Sequence, residues 1–241
     1  MHKGISVSLV VPCYNEEEGL KKLLAKKLDS IDEFIVVDNN SSDRTSEVGR
    51  HHGAKVVFAR SKGYGNAIKT GFYHACSDII CTLDGDGTYP LEAIPEVLDF
   101  IISENLDFVS CRRFPLINSN AMSSRNVFGN RVLTLATNLL FGLKLFDSQS
   151  GMWVFKRKIL DIIPLTSRGM PFSEEIKIEA FTRKEVKSAE YHINYRERVG
   201  ETKLYAYKDG IRNLIFLMKR RFALKTGSPF SKSFKPDEIM G

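Results

Sequence analysis

Short apolar runs alternate with helical segments along the first half of the chain, and this alternation limits the possible folds most strongly. The runs are rich in β-branched residues, and each is followed by a segment with apolar residues at helical spacing. The predicted strands cover residues 5–11, 33–37, 54–59, 78–81 and 107–111. The alternation predicts an α/β fold with a mostly parallel central sheet flanked by helices.

Polar or glycine-rich loops lie just after these strands or just before the next helix. They cover residues 12–16, 38–43, 62–66 and 84–86. We expect Pro12 to end the first strand, because proline has no N–H for a ladder hydrogen bond. Ligands bind beyond the carboxyl ends of the strands in sheets of this kind. The four loops should therefore meet on one edge of the sheet.

The loop Asp84-Gly85-Asp86-Gly87 carries two carboxylates one residue apart, directly after an apolar strand. In extended backbone, residues i and i+2 point to the same side, so both carboxylates can aim at one point. The glycines allow a sharp turn and close approach to a ligand. Mg²⁺ and Mn²⁺ prefer oxygen ligands, which favours a metal–diphosphate site. An ordinary Asp/Gly turn is the alternative, and this stretch alone leaves both open.

The charge of the chain limits its partners. The 241 residues carry a net charge of +6, with many lysines and arginines between residues 183 and 225. Such an excess favours nucleic acid, anionic lipid or phosphorylated substrates. No RNA-recognition, zinc-finger or helix-turn-helix motif accompanies it, so we expect no nucleic acid partner. The four cysteines show no CxxC spacing, which predicts reduced thiols in a cytoplasmic protein.

Two later segments are candidates for contact with a membrane or an acceptor. Residues 122–146 form the most hydrophobic part of the chain, and residues 205–225 predict a basic amphipathic helix. Such helices are typical of membrane-surface or partner binding, and a helix packed on the domain with a basic outer face is the alternative. No apolar run is long enough to span a bilayer. We expect one domain over residues 1–226 and a flexible tail over 227–241.

The order of the motifs resembles that of glycosyltransferase family 2. The matching segments are VVPCYNE at 10–16, VVDNNSSDRT at 36–45, KGYGNA at 62–67 and DGDG at 84–87. Two further segments, DSQSG at 147–151 and RVGETKL at 198–204, resemble the branch that acts on dolichyl and other polyprenyl phosphates. The resemblance covers about residues 5–220 and implies a GT-A fold that uses a nucleotide-activated sugar.

The resemblance also implies roles for individual residues. The residues expected to bind the nucleotide are Pro12, Tyr14, Glu16, Asp38, Lys62, Gly63 and Asp84. Asp84 and Asp86 would bind Mg²⁺ or Mn²⁺. Gln149 would lie near the donor sugar or the acceptor phosphate. Arg198 and Lys203 would bind the acceptor phosphate, which suits a guanidinium fork and an ammonium group. Asp86, Gln149, Arg198 and Lys203 are thus the expected catalytic residues.

We expect a metal-dependent, inverting transfer from a UDP- or GDP-sugar to a polyprenyl phosphate, by an enzyme that is cytoplasmic or peripheral on an anionic membrane. A lipid phosphate is already an anion and needs no general base. A hydroxyl acceptor is the first alternative and needs a base, for which Glu174 and Glu175 are candidates. A non-catalytic protein that binds nucleotide sugars is the second. The motifs select neither the sugar nor the nucleobase, because specificity depends on pocket shape.

Overall fold

The computed structural model describes residues 1–26, 28–200 and 206–226. The strands are β1 Val7–Cys13, β2 Glu33–Asp38, β3 Lys55–Phe58, β4 Ile79–Thr82, β5 Phe108–Arg112, β6 Trp153–Lys156 and β7 Ser188–His192. The α-helices are α1 Glu17–Leu24, α2 Thr45–His51, α3 Tyr64–His74, α4 Ile94–Ser103, α5 Ser124–Phe141, α6 Phe172–Thr182 and α7 Ala206–Thr226. Short 3₁₀ helices cover Leu91–Ala93, Ser119–Ala121 and Arg157–Asp161.

The seven strands form one sheet in the order β3-β2-β1-β4-β6-β5-β7. β6 runs antiparallel to its neighbours β4 and β5, whereas the other neighbouring pairs are parallel. Apolar residues of α1 and α4 pack with one set of strand residues, and those of α3 and α6 pack with the other set. The predicted α/β fold with a mostly parallel sheet between helices is therefore confirmed.

β1 continues through Pro12, so the prediction that this proline ends the strand is wrong. Pro12 pairs with Val37 of β2, whereas the pairing of β1 with β4 ends at Val10. The carbonyl oxygen of Val10 accepts from the backbone N–H of Leu83 on the β4 side. The backbone nitrogen of Pro12, two residues later, faces the β4 side as well, where β4 no longer pairs with β1. A missing N–H therefore breaks no ladder hydrogen bond there.

The two segments singled out for their hydrophobic or amphipathic character form helices α5 and α7. α5 begins after Ser123, whose hydroxyl oxygen accepts from the backbone N–H of Asn126, and ends at Gly142 with φ of 67°. Glycine adopts this left-handed conformation at the least cost, and the conformation ends the helix. No helix in the described ranges is long and apolar enough to cross a membrane. The predicted tail, residues 227–241, lies outside the described residues.

Candidate active site

The loops that follow β1 and β2 and precede α3 meet at the carboxyl ends of the strands. The backbone N–H of Asn15 donates to the Ser41 hydroxyl (3.0 Å), and that of Ser42 donates to Asn15 Oδ1 (2.7 Å). The backbone N–H of Gly63 donates to Asn39 Oδ1 (3.1 Å). We call these loops, together with the loop after β4, the carboxyl edge. The hydrogen bonds thus connect the loops after β1 and β2 and before α3 along one edge of the sheet.

Asp38 shapes the carboxyl edge from within. Its Oδ1 accepts from the backbone N–H of Ser41 (2.7 Å), and its Oδ2 accepts from the Ser46 hydroxyl. The side chain is buried at the end of β2. Both oxygens thus join β2 to the start of α2. This structural contact accounts for a carboxylate at the end of the strand, and the predicted contact with a base or ribose stays a prediction.

Lys62 and Tyr14, both expected to bind the nucleotide, lie together on the outer side of the carboxyl edge. Lys62 Nζ is 5.8 Å from the centre of the Tyr14 ring, within the range of a cation–π contact. Gly63, beside Lys62, has φ of 132°, and a Cβ there would lie 2.3 Å from the carbonyl oxygen of Arg168. Glycine is therefore required at 63 for the backbone to pack against the segment before α6.

The loop after β4 turns sharply, and the turn places its two carboxylates. β4 ends at Thr82, and Gly85 and Asp86 form a turn rather than extended backbone. The alternation of extended backbone that we expected between Asp84 and Asp86 is therefore absent. Asp86 Oδ1 accepts from the backbone N–H (3.0 Å) and the hydroxyl (2.7 Å) of Thr88. Asp84 Oδ1 accepts from the hydroxyl of Tyr64 (3.3 Å), a partner that the sequence did not suggest.

The two carboxylates act on each other electrostatically. Burial, and next the charge of Asp86, raise the pKa of Asp84 to about 7, against the lowering effect of Arg198. Such a pair of acidic groups favours a bound cation, because a cation relieves the repulsion between them. Gly151 lies against this pair, since a Cβ at 151 would come within 3.3 Å of Asp84 Oδ2.

Arg198 reaches the carboxyl edge from a distant part of the chain. Its Nη1 donates to Asp86 Oδ2 (2.7 Å), and its Nη2 donates to Glu16 Oε1. The backbone beside it is also held there, because the N–H of Val199 donates to the Asp86 carbonyl (2.9 Å). An arginine expected to bind the acceptor phosphate thus contacts the expected metal ligand. Lys203, its expected partner, lies outside the described residues.

A second set of charged side chains is buried beside β5 and β6. We call Arg113, Asp147, Gln149, Glu174 and Lys177 the Arg113 cluster. Arg113 donates to Asp147 through Nε (2.7 Å) and Nη2 (2.9 Å). Burial by itself raises the pKa of Asp147, but the guanidinium of Arg113 outweighs it and brings the pKa down to about 2. Asp147 therefore remains an anion that fixes the start of the 147–151 loop.

Gln149 is held from three sides within this cluster. Its Nε2 donates to Glu174 Oε1 (2.5 Å) and to the Ser148 hydroxyl (2.8 Å). Its Oε1 accepts from Nδ2 of Asn213 on α7 (2.9 Å). In the described part of the structure, Glu174 Oε2 and Asn213 Oδ1 are buried without a hydrogen-bond partner. Burial raises the pKa of Glu174 to about 8.

Glu175, the other candidate base, is occupied by the segment before α6. It accepts from the backbone N–H (3.0 Å) and the hydroxyl (2.6 Å) of Thr166. It also accepts from the backbone N–H of Ser167 (2.8 Å). These contacts fix the segment that packs on Gly63, so the carboxylate has a structural task.

Comparison with protein families identifies the chain. Its sequence matches the family described as "Glycosyl transferase family 2" over residues 8–163. This chain is a member of glycosyl transferase family 2. It is therefore a glycosyltransferase, and the loops after β1, β2 and β4 and before α3 lie within the matched residues. The resemblance inferred from the motifs and the assignment as an enzyme are both confirmed.

The glycosyltransferase has several curated relatives. It is 30% identical to a low-salt glycan biosynthesis hexosyltransferase of Haloferax volcanii, over 88% of this chain and 53% of that protein. It is 33% identical to a dolichyl-phosphate hexose transferase of the same organism, over 85% of this chain and 89% of that protein. An undecaprenyl-phosphate 4-deoxy-4-formamido-L-arabinose transferase of Proteus mirabilis is 32% identical, over 64% of this chain and 50% of that protein. The chain thus spans about half the length of the first of these relatives.

Solved structures share the fold of this glycosyltransferase. The glucosyl-3-phosphoglycerate synthase of Mycobacterium tuberculosis in complex with uridine diphosphate has a TM-score of 0.72 at 21% identity, over 91% of this chain and 81% of that chain. The same synthase with Mn²⁺, UDP-glucose and phosphoglyceric acid has a TM-score of 0.68 at 22% identity, over 91% and 80% of the two chains. These similarities establish the GT-A fold.

Four residues of the glycosyltransferase's site were not singled out from the sequence: Tyr64, Arg113, Lys177 and Asn213. Tyr64 lies inside the KGYGNA motif, whose glycines indicate a backbone turn and not a contact made by the tyrosine side chain. Arg113 lies just after the predicted strand 107–111, and a cation at that place was a usable signal for an anionic partner. Asn213 lies in an amphipathic helix, where a polar residue normally indicates the solvent side. No local pattern distinguishes it from a surface residue.

Proposed function

We propose that this glycosyltransferase transfers a sugar, with inversion and with the help of a divalent cation, from a nucleotide diphosphate sugar to a polyprenyl phosphate. One observation carries the proposal: Arg198, a phosphate-binding type of side chain, lies 2.7 Å from Asp86. The expected acceptor-binding arginine and the expected metal-binding carboxylate therefore share one site. The two relatives named for transfer to dolichyl or undecaprenyl phosphate support the acceptor.

The residues at the carboxyl edge fit a bound Mg²⁺ or Mn²⁺. The described residues contain no group of three or more His, Cys, Asp or Glu side chains arranged to hold a metal ion. Mg²⁺, however, usually binds one or two carboxylates together with substrate phosphates. Asp84 and Asp86 would supply those carboxylates, and the diphosphate of the donor would supply the rest. A cation held there would stabilise the negative charge that develops on the leaving diphosphate.

The side chains around the site suit an acceptor that is already negative. Arg198 can hold an acceptor phosphate oxygen through its guanidinium fork once it releases Asp86. The phosphate oxygen would then attack the anomeric carbon from the face opposite the leaving group, and the bond to the diphosphate would break. No proton has to be removed in this step, so no general base is required.

The hydroxyl-acceptor alternative is supported by one feature, the unpartnered Glu174 Oε2 beside Gln149. A pKa of about 8 means that the Glu174 carboxyl is largely protonated at neutral pH and cannot accept a proton then. Glu175 is fully engaged by Thr166 and Ser167. Both observations favour the phosphate acceptor over the hydroxyl acceptor.

Two helices turn apolar side chains outward and suggest where the lipid chain of the acceptor lies. The exposed apolar residues are Phe128, Leu135 and Leu139 on α5 and Ile215, Met218 and Phe222 on α7, with exposures from 47% to 76%. We call them the α5–α7 face. The buried residues of α5 are Thr134 and Thr137, so this helix has its polarity reversed relative to an ordinary surface helix.

The cations near the α5–α7 face complement an anionic bilayer. They are Arg131, Lys144, Arg212 and Lys219, all of them exposed. Apolar side chains in the interface and cations at its rim are the arrangement of a helix that lies on a membrane surface. We therefore propose that the enzyme is peripheral and binds the cytoplasmic surface of an anionic membrane through this face.

The acceptor is tested by comparing two lipids that differ only in the phosphate. Release of nucleoside diphosphate is measured from a panel of UDP- and GDP-sugars with Mg²⁺ or Mn²⁺ and either polyprenyl phosphate or the matching polyprenol. We expect release with the phosphate, none without metal, and an inverted anomer by NMR. Release with the polyprenol alone would establish a hydroxyl acceptor. No release with either lipid, despite nucleotide-sugar binding, would support a non-catalytic protein.

The membrane contact is tested by sedimentation with vesicles of phosphatidylglycerol or phosphatidylcholine. We expect the enzyme to sediment with the anionic vesicles, and the double variant Leu135→Asp, Leu139→Asp to lose most of that binding. Phe58→Asp is the matched control, because Phe58 is 57% exposed on β3 at the far edge of the sheet. Equal binding of all three proteins would contradict the proposal.

A further inference from the structure

The inward side of α7 is unusual because two of the three residues buried between positions 209 and 223 are polar. Its buried residues are Asn213, Leu217 and Arg220, whereas its apolar residues Ile215, Met218 and Phe222 point outward. The burial of an amide and a guanidinium is costly unless each forms specific hydrogen bonds. Polar contacts, together with the buried Leu217, therefore contribute to the packing of α7 on the domain.

Two polar contacts that the structure describes between α7 and the rest of the domain reach different places. Arg220 Nη2 donates to Glu179 Oε1 on α6, and both side chains are buried. Asn213 Nδ2 donates to Gln149 Oε1 (2.9 Å) in the loop before β6. Glu179 lies five positions after Glu174 on α6, which is about 7.5 Å along a helix. The first contact is thus an anchor away from the loop, and the second touches an expected catalytic residue.

The contact from Asn213 determines which way the Gln149 carboxamide faces. The Nε2 side of that group already donates to Glu174 and Ser148. The Oε1 side needs a donor, and Asn213 supplies it. The remaining oxygen of Asn213 has no hydrogen-bond partner in the described residues, so its one side-chain hydrogen bond given by the structure is directed at Gln149. The buried amide of Asn213 is explained by this contact.

We propose that Asn213 is a positioning residue that orients the Gln149 carboxamide, and that it thereby couples the packing of α7 to the geometry of the reacting site. The inference rests on the proposed function of Gln149 near the donor sugar or acceptor phosphate. It gives α7 two tasks. Its outward side contributes to the α5–α7 face, and its inward side holds a side chain of the site.

The test compares Asn213→Asp with the double variant Glu179→Gln, Arg220→Met. The aspartate has the shape of asparagine but presents an oxygen, which repels Gln149 Oε1. The double variant removes the other polar anchor of α7 as a pair, and Arg183, the second partner of Glu179, is 34% exposed and stays hydrated. We expect Asn213→Asp to lower kcat about tenfold or more, with the KM of the nucleotide sugar unchanged within about twofold. The double variant should keep the kcat of the wild type.

A spectroscopic measurement makes the test independent of turnover. The side-chain amide signals of Gln149 in a ¹⁵N–¹H correlation spectrum are assigned from their loss in Gln149→Ala. We expect Asn213→Asp to shift them and the double variant to leave them in place. Unshifted signals in Asn213→Asp would overturn the inference, as would an equal loss of kcat in both variants. If the wild type transfers no sugar, the proposed function fails, and the amide signals still decide the contact.

Discussion

The carboxyl edge and the Arg113 cluster hold their polar side chains in different ways. At the carboxyl edge, Asp38 and Asp86 each bond a backbone N–H a few residues away, and Tyr14 and Lys62 are exposed. In the Arg113 cluster, polar and charged side chains from separate elements contact one another directly, and most of them are buried. Local contacts leave an open rim that a soluble nucleotide can reach. A buried network is rigid and strongly coupled, so each member depends on the others.

Loss of Asp86 should have the largest effect of all on activity, and it tests the carboxyl edge. Asp86→Asn keeps the shape of the side chain but removes the charge of an expected metal ligand, and a bound cation is worth several kcal/mol of charge stabilisation. We expect the release of nucleoside diphosphate to fall about 1,000-fold, which corresponds to about 4 kcal/mol. The exposed Asp99, changed to Asn, should leave the rate unchanged. A fall of less than about tenfold would remove Asp86 from the metal site.

Loss of Asp147 tests whether the Arg113 cluster carries stability as well as geometry. Asp147→Ala leaves the buried guanidinium of Arg113 without its partner, and breaking a buried pair costs about 3–5 kcal/mol. Urea unfolding monitored by the fluorescence of Trp153 measures the change. Asp99→Ala breaks an exposed pair and should cost less than about 1 kcal/mol. Equal costs for the two variants would show that burial of the cluster has no energetic weight.

Substitution of Arg198 tests whether this residue binds the acceptor or the nucleotide sugar. We expect Arg198→Lys to raise the KM of the polyprenyl phosphate about 10- to 100-fold, because an ammonium group lacks the two-pronged guanidinium. The KM of the nucleotide sugar should change less than about threefold. The opposite pattern would place Arg198 in the donor site, in line with its contacts to Glu16 and Asp86. Lys187→Arg on the approach to β7 is a control.

The smallest effect is expected from Glu174→Gln and appears as a pH dependence. Burial raises the pKa of Glu174 from 4.5 to about 8, so the folded state binds the proton more tightly than the unfolded state. The stability that Glu174 contributes is complete below about pH 4.5 and is lost as the pH rises through about 8. Glutamine does not titrate. The Tm of Glu174→Gln relative to wild type should therefore rise by a few degrees between pH 5 and 9.

The exposed Glu185 provides the control for this measurement, since Glu185→Gln should shift the Tm equally at each pH. A constant Tm difference for Glu174→Gln would mean that the Glu174 carboxyl titrates normally. It would also restore Glu174 as a candidate base and so strengthen the hydroxyl-acceptor alternative.

The carboxyl edge was predictable because its features are local. Short β-branched runs and the polar loops after them indicated the parallel strands and the loops that meet beyond them. The predictions were wrong where the local structure depends on a neighbouring strand or on the conformation of a turn. Pro12 stays within β1 because β4 no longer pairs there. Asp84 and Asp86 are placed by a turn that Thr88 holds, rather than by extended backbone.

The Arg113 cluster was only partly predictable because it joins segments that are far apart in the chain. The motif at 147–151 indicated Gln149, but nothing in it indicated that Glu174 and Asn213 hold the side chain. Polar residues of helices are normally exposed, so nothing in the sequence indicated that Asn213 is buried.

The sequence by itself determined the α/β class, the family, and the order in which the loops of the carboxyl edge follow one another. Only the tertiary structure decided that Arg198 contacts Asp86, 112 positions away, and that α7 reaches Gln149 across 64 positions. The reason is physical. Strands, helices and turns follow from interactions between near neighbours in the chain, whereas these contacts depend on how the helices pack against the completed sheet.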